Sequence, residues 1–164
     1  MSQTRFINPK ALRRPPGYTH VVEVTAPARI VYIAGQLGVD RDDKVVGDFR
    51  RQAVQTFENL KTALAAVGAE FRHVVKLNNY LVDRAHLPTF REVRDSYLAE
   101  NDRPASTTIA ISGLAREGAL IEIEAVAVLP AAARAKAASK GASQAARKGG
   151  AARPPRRRAR SRRK

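Results

Sequence analysis

Hydrophobic and polar positions change their spacing several times along the first 130 residues, and each change marks an element. Val21 to Val24 and Ile30 to Gly35 are short runs rich in β-branched residues, separated by Thr25-Ala26-Pro27-Ala28, which reads as a turn. Asp40 to Lys44 reads as a charged loop. Beyond Asp48 the period lengthens: Phe49, Ala53, Phe57, Leu60, Leu64 and Val67 follow one another at steps of four, four, three, four and three. Those steps align the six on one face of a helix of about five turns, for which Gly68 is a natural stop. Val74 to Val82 then predicts a strand. Phe90, Val93 and Tyr97 predict a second amphipathic helix starting near Leu87-Pro88, with proline in the permissive first turn. Thr107 to Ser112 and Leu120 to Val128 predict two closing strands, joined through Gly113 to Gly118.

The order is therefore β-β-α-β-α-β-β, an α+β fold with two helices on one face of a mixed sheet. VVKLNNYLV and LIEIEAVAV are too apolar to face water on both sides, and a chain of this size has no further helix to cover the second face. Association with other copies through that bare face is the structural expectation.

Charge divides the chain in a way the hydrophobic pattern does not. The 164 residues carry 30 Lys plus Arg against 15 Asp plus Glu, a formal net charge of +15. Residues 1–130 hold 17 of the cations and all 15 acids, whereas residues 131–164 hold 13 cations, 12 alanines, no acid and no aromatic residue. That last segment has no side chains with which to build a core and its like charges repel, so it is expected to be a disordered basic tail. Such a tail suits the phosphate backbone of nucleic acid without sequence preference, and lacks the aromatic residues that stack on single-stranded bases. Zero cysteines exclude a disulfide scaffold and thiolate chemistry. No stretch is long and apolar enough for a membrane span, and MSQTRFINPK has no apolar core of the signal-peptide kind, so the cytoplasm is the expected location.

Candidate chemistry is sparse. His20, His73 and His86 are scattered without metal-ligand spacing, so no metal is expected. Ser106 and Thr107 have no histidine at a suggestive distance, which argues against nucleophilic catalysis. No glycine-rich phosphate loop lies between a strand and a helix. Asn78 and Asn79 interrupt an apolar strand and read as hydrogen-bonding residues of the sheet or an interface. Glu122 and Glu124 share parity and project into one layer.

YIAGQLGVD at 32–40, FENLKTALAAVGAEFRHVVKLNNYLVD at 57–83, RPAST at 103–107 and LIEIEAVAVLP at 120–130 together resemble the RidA family, also called YjgF or endoribonuclease L-PSP proteins. The resemblance spans roughly residues 5–130 and none of the basic segment. It implies a chorismate-mutase-like fold assembled as a homotrimer, with ligand clefts between subunits and no cofactor. It also implies hydrolysis of small reactive enamines and imines such as 2-aminoacrylate. Glu122, the first glutamate of the IEIE strand, matches the residue that positions water. Tyr18 matches a cleft tyrosine, and Gly35 and Gln36 match the AGQ element of the cleft wall. In active members the 104–107 motif reads proline, alanine, arginine, serine, and the arginine holds the substrate carboxylate. Here that position is Ser106.

A hydroxyl offers one hydrogen bond and no charge, and losing a charge-assisted bidentate contact costs about 2–5 kcal/mol. Arg103 is the nearest alternative cation, although three residues along a strand is the opposite face. The expected reading is a RidA-type deaminase of imine, enamine or carbonyl metabolites whose substrate is altered at this point. The alternative is a non-catalytic trimeric small-molecule-binding scaffold for basic tails that bind nucleic acid.

Overall fold

The computed structural model of the chain describes residues 4–25 and 28–130. In chain order the elements are β1 (Thr4–Ile7), β2 (Val21–Val24), β3 (Ala28–Leu37), α1 (Phe49–Ala66), β4 (Val74–Leu81), α2 (Leu87–Tyr97), β5 (Ala105–Ala110) and β6 (Ile121–Pro130). The basic segment 131–164 and part of the expected turn at 25–28 lie outside the described residues.

Helix α1 starts where its period starts. The Asp48 carboxylate accepts the Arg51 amide at 2.9 Å, satisfying one of the donors that a helix N-terminus leaves open. Its buried face carries Phe49, Ala53, Phe57, Leu60 and Leu64, joined by Gln52 and Thr56, two polar residues that the apolar period does not mark. Gln52 is buried because it stitches the 113–120 loop to the helix: its Nε2 donates to the Gly118 carbonyl at 3.2 Å and its Oε1 accepts the Leu120 amide at 2.8 Å. Helix α2 begins at Leu87-Pro88 and buries Phe90, Val93 and, unexpectedly, Arg94.

Four strands form the main sheet in the order β3-β6-β4-β5. β4 and β5 run parallel, the crossover between them containing α2, and the other pairs are antiparallel. The α+β layer with two helices and a mixed sheet is thus as expected, but the pairing differs at three points. A further strand, β1, precedes the expected series and pairs with β2 in a separate two-stranded sheet. β5 and β6, consecutive in the chain, are not neighbours, because β4 lies between them. β3 is longer than its apolar run and contains a bulge: Ile33 faces Ala125 and Gln36 faces Ile123, so Ala34-Gly35 adds one residue to that strand.

The two faces of the sheet differ. Ile121, Ile123, Ala125, Ala127 and Leu129 on β6, with Leu77 and Leu81 on β4, are buried in the core against the helices. Alternation sends Glu122, Glu124, Asn78, Tyr80 and Lys76 to the other face. On that open face Tyr32 is 79% exposed, Ile30 54% and Ile109 46%. Among the described residues, no helix is long and apolar enough to cross a membrane.

Candidate functional site

The residues singled out in the sequence gather into two groups on opposite faces of the sheet. The first centres on Glu122. The β3 bulge brings Gly35 against this side chain so closely that a methyl group at position 35 would overlap the carboxylate. Burial, and then the charge of Glu124 on the same face, raise the Glu122 carboxyl above the usual carboxylate range. Glu124 is held by two donors from β4, Tyr80 Oη at 3.1 Å and Asn78 Nδ2 at 3.2 Å. That hydrogen bond is also the leading cause that raises the Tyr80 phenol above its ordinary value. Glu124 is thus engaged with the sheet. Gln36 sits just past the bulge and turns its amide back on the strand, donating to the Ala34 and Gly35 carbonyls at 3.0 and 3.3 Å.

The second group lies at the edge of β5, on the helix side. The loop containing Tyr18 runs beside the start of that strand: Thr19 bridges to Ala105 in parallel, and its amide donates to the Pro104 carbonyl at 3.2 Å. Tyr18 and Ser106 consequently line one pocket of about 380 Å³. The Ser106 hydroxyl accepts a hydrogen bond at 2.9 Å from Asn79 Nδ2, on the neighbouring strand.

Arg103 does not line this pocket. Its Nη1 pairs with Asp95 Oδ1 at 2.6 Å, and the same oxygen takes Arg94 Nη2 at 2.7 Å. Gly17, at φ +88°, lies against both guanidinium groups, where any side chain would collide with them. Four arginines line the pocket without having been marked in the sequence: Arg13, Arg84, Arg91 and Arg94. On a lone helix pattern the last three read as solvated charges, and only the docking of α2 beside β5 brings them to Ser106.

The histidines are accounted for locally. His86 stacks on Phe49 with ring centroids 4.1 Å apart, His73 Nδ1 accepts the Glu70 amide at 3.0 Å, and His20 Nε2 lies 2.9 Å from the Arg13 carbonyl. No cluster of three His, Cys, Asp or Glu suited to a metal ion occurs among the described residues.

An α+β domain with two helices on a mixed sheet of this topology has the Rid fold. Residues 10–129 match the family described as Endoribonuclease L-PSP, and the chain belongs to that family, the RidA family. Among relatives, it is 36% identical to protein DfrA of Myxococcus xanthus over 113 residues, covering 68% of this chain and 84% of that protein. It is 30% identical over 132 residues to the 2-iminobutanoate/2-iminopropanoate deaminase of Dermatophagoides farinae, covering 79% of this chain and 99% of the relative. Among solved structures, the Rid-family protein YyfB from Yersinia pestis superimposes with a TM-score of 0.71 at 33% identity, covering 78% of this chain and all of YyfB.

Proposed function

We propose that this protein hydrolyses small reactive imines, and the enamines that tautomerise to them, at a cleft completed by a neighbouring copy in a homotrimer. The observation that carries the reading is Glu122, a half-buried carboxyl set over Gly35 with its proton affinity raised. A base is most useful when its pKa moves toward the working pH. In the reaction Glu122 accepts a proton from water as the water oxygen bonds to the imine carbon. That proton passes to nitrogen to give a carbinolamine; the carbinolamine O–H then gives its proton, by way of Glu122, to the amine nitrogen, the C–N bond breaks as the C=O bond forms, and ammonia leaves. Relatives named as deaminases of 2-iminobutanoate and 2-iminopropanoate support this class of substrate.

The arrangement of the two groups supports a composite cleft. Tyr18 with Ser106, and Gly35 with Glu122, face away from each other within one chain, so a ligand touching both takes them from two copies. The exposed Ile30, Tyr32 and Ile109 provide the apolar surface for such packing. With Ser106 in place of arginine, the substrate differs from that of the carboxylate-clamping relatives. The test is a coupled assay with 2-aminoacrylate made in situ by a dehydratase. Glu122→Ala is expected to abolish turnover, and Ser106→Arg to raise it on this monocarboxylate. Absence of turnover of any imine by the unaltered chain and both variants would replace this reading with that of a binding protein.

A second reading is favoured by one separate observation, the 13 cations and no acid of residues 131–164. That segment is proposed to bind nucleic acid through phosphate contacts, with the strong salt dependence such contacts bring. A chain ending at Pro130 is expected to lose DNA retention in a low-salt gel shift. Equal retention by both chains would refute it.

A further inference from the structure

The pocket that holds Ser106 is one-sidedly charged. Four arginines line it, Arg13, Arg84, Arg91 and Arg94, and no carboxylate does. They come from three places in the fold: the loop before Tyr18, the 3-10 turn Arg84–His86, and α2, where Arg91 and Arg94 are three residues apart and share a face. Of the carboxylates beside them in sequence, Asp83 and Glu92 are turned elsewhere, and Asp95 pairs with Arg94 itself, so the arginines without a counter-charge are Arg13, Arg84 and Arg91. Asp83 Oδ1 caps the turn by accepting the Ala85 amide at 2.8 Å, Glu92 pairs with Arg50 on α1, and Asp95 is shared between Arg94 and Arg103. Arg13, Arg84 and Arg91 form no salt bridge among the described residues. Guanidinium groups converging without a counter-charge repel one another, unless an anion is part of the arrangement.

The floor of the pocket is built for the same ligand by different means. Asn79, 1% exposed, donates through Nδ2 to the Thr107 carbonyl at 2.8 Å, to Ser106 Oγ at 2.9 Å and to Thr108 Oγ1 at 3.2 Å. A carbonyl only accepts, so the Thr107 contact fixes which way the Asn79 amide points. Nδ2 has two hydrogens for these three acceptors, so one is shared, and because an amide nitrogen does not accept, the O–H of each hydroxyl is left to donate elsewhere. Ser106 and Thr108 line the pocket, so these donors are available to whatever occupies it. Arginines around the rim and two polarised hydroxyls at the base supply donors and positive charge, the complement of an oxyanion.

We infer that this pocket binds a small dianionic oxyanion, the group carried by a phosphate monoester or by a dicarboxylate, through the exposed Arg84 and Arg91 at the rim, the buried Arg94 in the wall, and Ser106 and Thr108 at the base. This deepens the proposed hydrolase reading by naming what its substrate carries at the end away from the imine: more negative charge than the single carboxylate that one motif arginine would hold. Ser106 is then a hydroxyl donor in an arginine-walled site, rather than the remnant of a lost clamp.

Binding is measured apart from catalysis, so the two readings fail separately. The full chain, with its basic segment unchanged in every arm, is titrated at low salt and mildly alkaline pH with inorganic phosphate, with malonate and with acetate. Affinity is read by calorimetry, and the site by the backbone amide shifts of Ser106, Thr108, Arg91 and Arg94. Saturable shifts at these amides are expected, with at least one dianion bound tenfold or more tightly than acetate; the tighter of phosphate and malonate tells the phosphate-ester source from the dicarboxylate source. Arg84→Gln with Arg91→Gln should weaken that dianion at least tenfold, while Arg41→Gln with Lys44→Gln, in the charged loop 40–44, should change it less than twofold. Acetate binding as tightly as both dianions would overturn the inference, as would shifts confined to residues 131–164, or an affinity unchanged in the Arg84/Arg91 pair. A chain that binds dianions here but hydrolyses no imine leaves this inference standing and removes the preceding one.

Discussion

The two faces of the main sheet hold opposite chemistry. On the open face two glutamates sit one alternation apart on β6, and one of them has its carboxyl raised by burial and by its neighbour. On the helix side four arginines line a pocket that contains no carboxylate. Had these groups shared a face, they would neutralise each other as salt bridges, leaving neither a base with adjusted proton affinity nor an unpaired anion site. Separation by the thickness of the sheet keeps the two groups from pairing with each other within one copy.

The comparison is broken most directly at Glu122. Glu122→Gln is expected to lower imine hydrolysis by roughly 10²–10⁴-fold, the usual worth of a general base. Its effect on stability has the opposite sense. A carboxyl whose folded pKa is raised contributes stability below its unfolded value, and that contribution is lost as pH rises through the folded value. At neutral pH the ionised Glu122 is therefore a cost, and urea unfolding should find Glu122→Gln no less stable than the unaltered protein. A marked loss of stability would make Glu122 a structural residue.

On the helix side the sign reverses. Asn79→Ala removes the donor shared by Ser106, Thr108 and the Thr107 carbonyl in a fully buried position, and should destabilise by about 2–4 kcal/mol in the same unfolding measurement. Asn78→Ala, one residue away on the open face, should cost under about 1 kcal/mol. Equal losses would mean that the two faces are not distinct in packing. Gly35→Ala comes next, at about 1–3 kcal/mol, because Glu122 or the β3 bulge must shift to admit the methyl group. The smallest effect is that of Glu124→Gln: removing the second cause of the Glu122 shift should move the acidic limb of the rate profile to lower pH without changing its height. A limb that stays in place would locate the titrating group elsewhere.

The helices were legible in the sequence because each buries one apolar stripe, and a stripe is a local property. β1 was not: Thr4–Ile7 is too short for alternation to show, and its role depends on finding β2. The insertion of β4 between β5 and β6 was equally hidden, since strand order is decided by the crossover and not by the strands' own residues. At the site, the loss of the motif arginine at Ser106 and the pairing of Glu122 with Glu124 could be read directly. Gln52 and Asn79 were buried for reasons that lie 66 and 27 residues away, at Gly118 and Ser106. Arg84, Arg91 and Arg94 resembled any charged surface until α2 was docked beside β5.

Gly35 bears on how relatives of this protein are to be compared. Glu122 occupies room that exists because position 35 has no side chain, so the two positions are physically coupled and not independent. In a chain with a side chain at the first position, either the glutamate or the bulge must move, even if the glutamate is still written in the sequence. A comparison that scores the glutamate alone therefore misses whether the room for its carboxylate is there, and the glycine is the residue to check first.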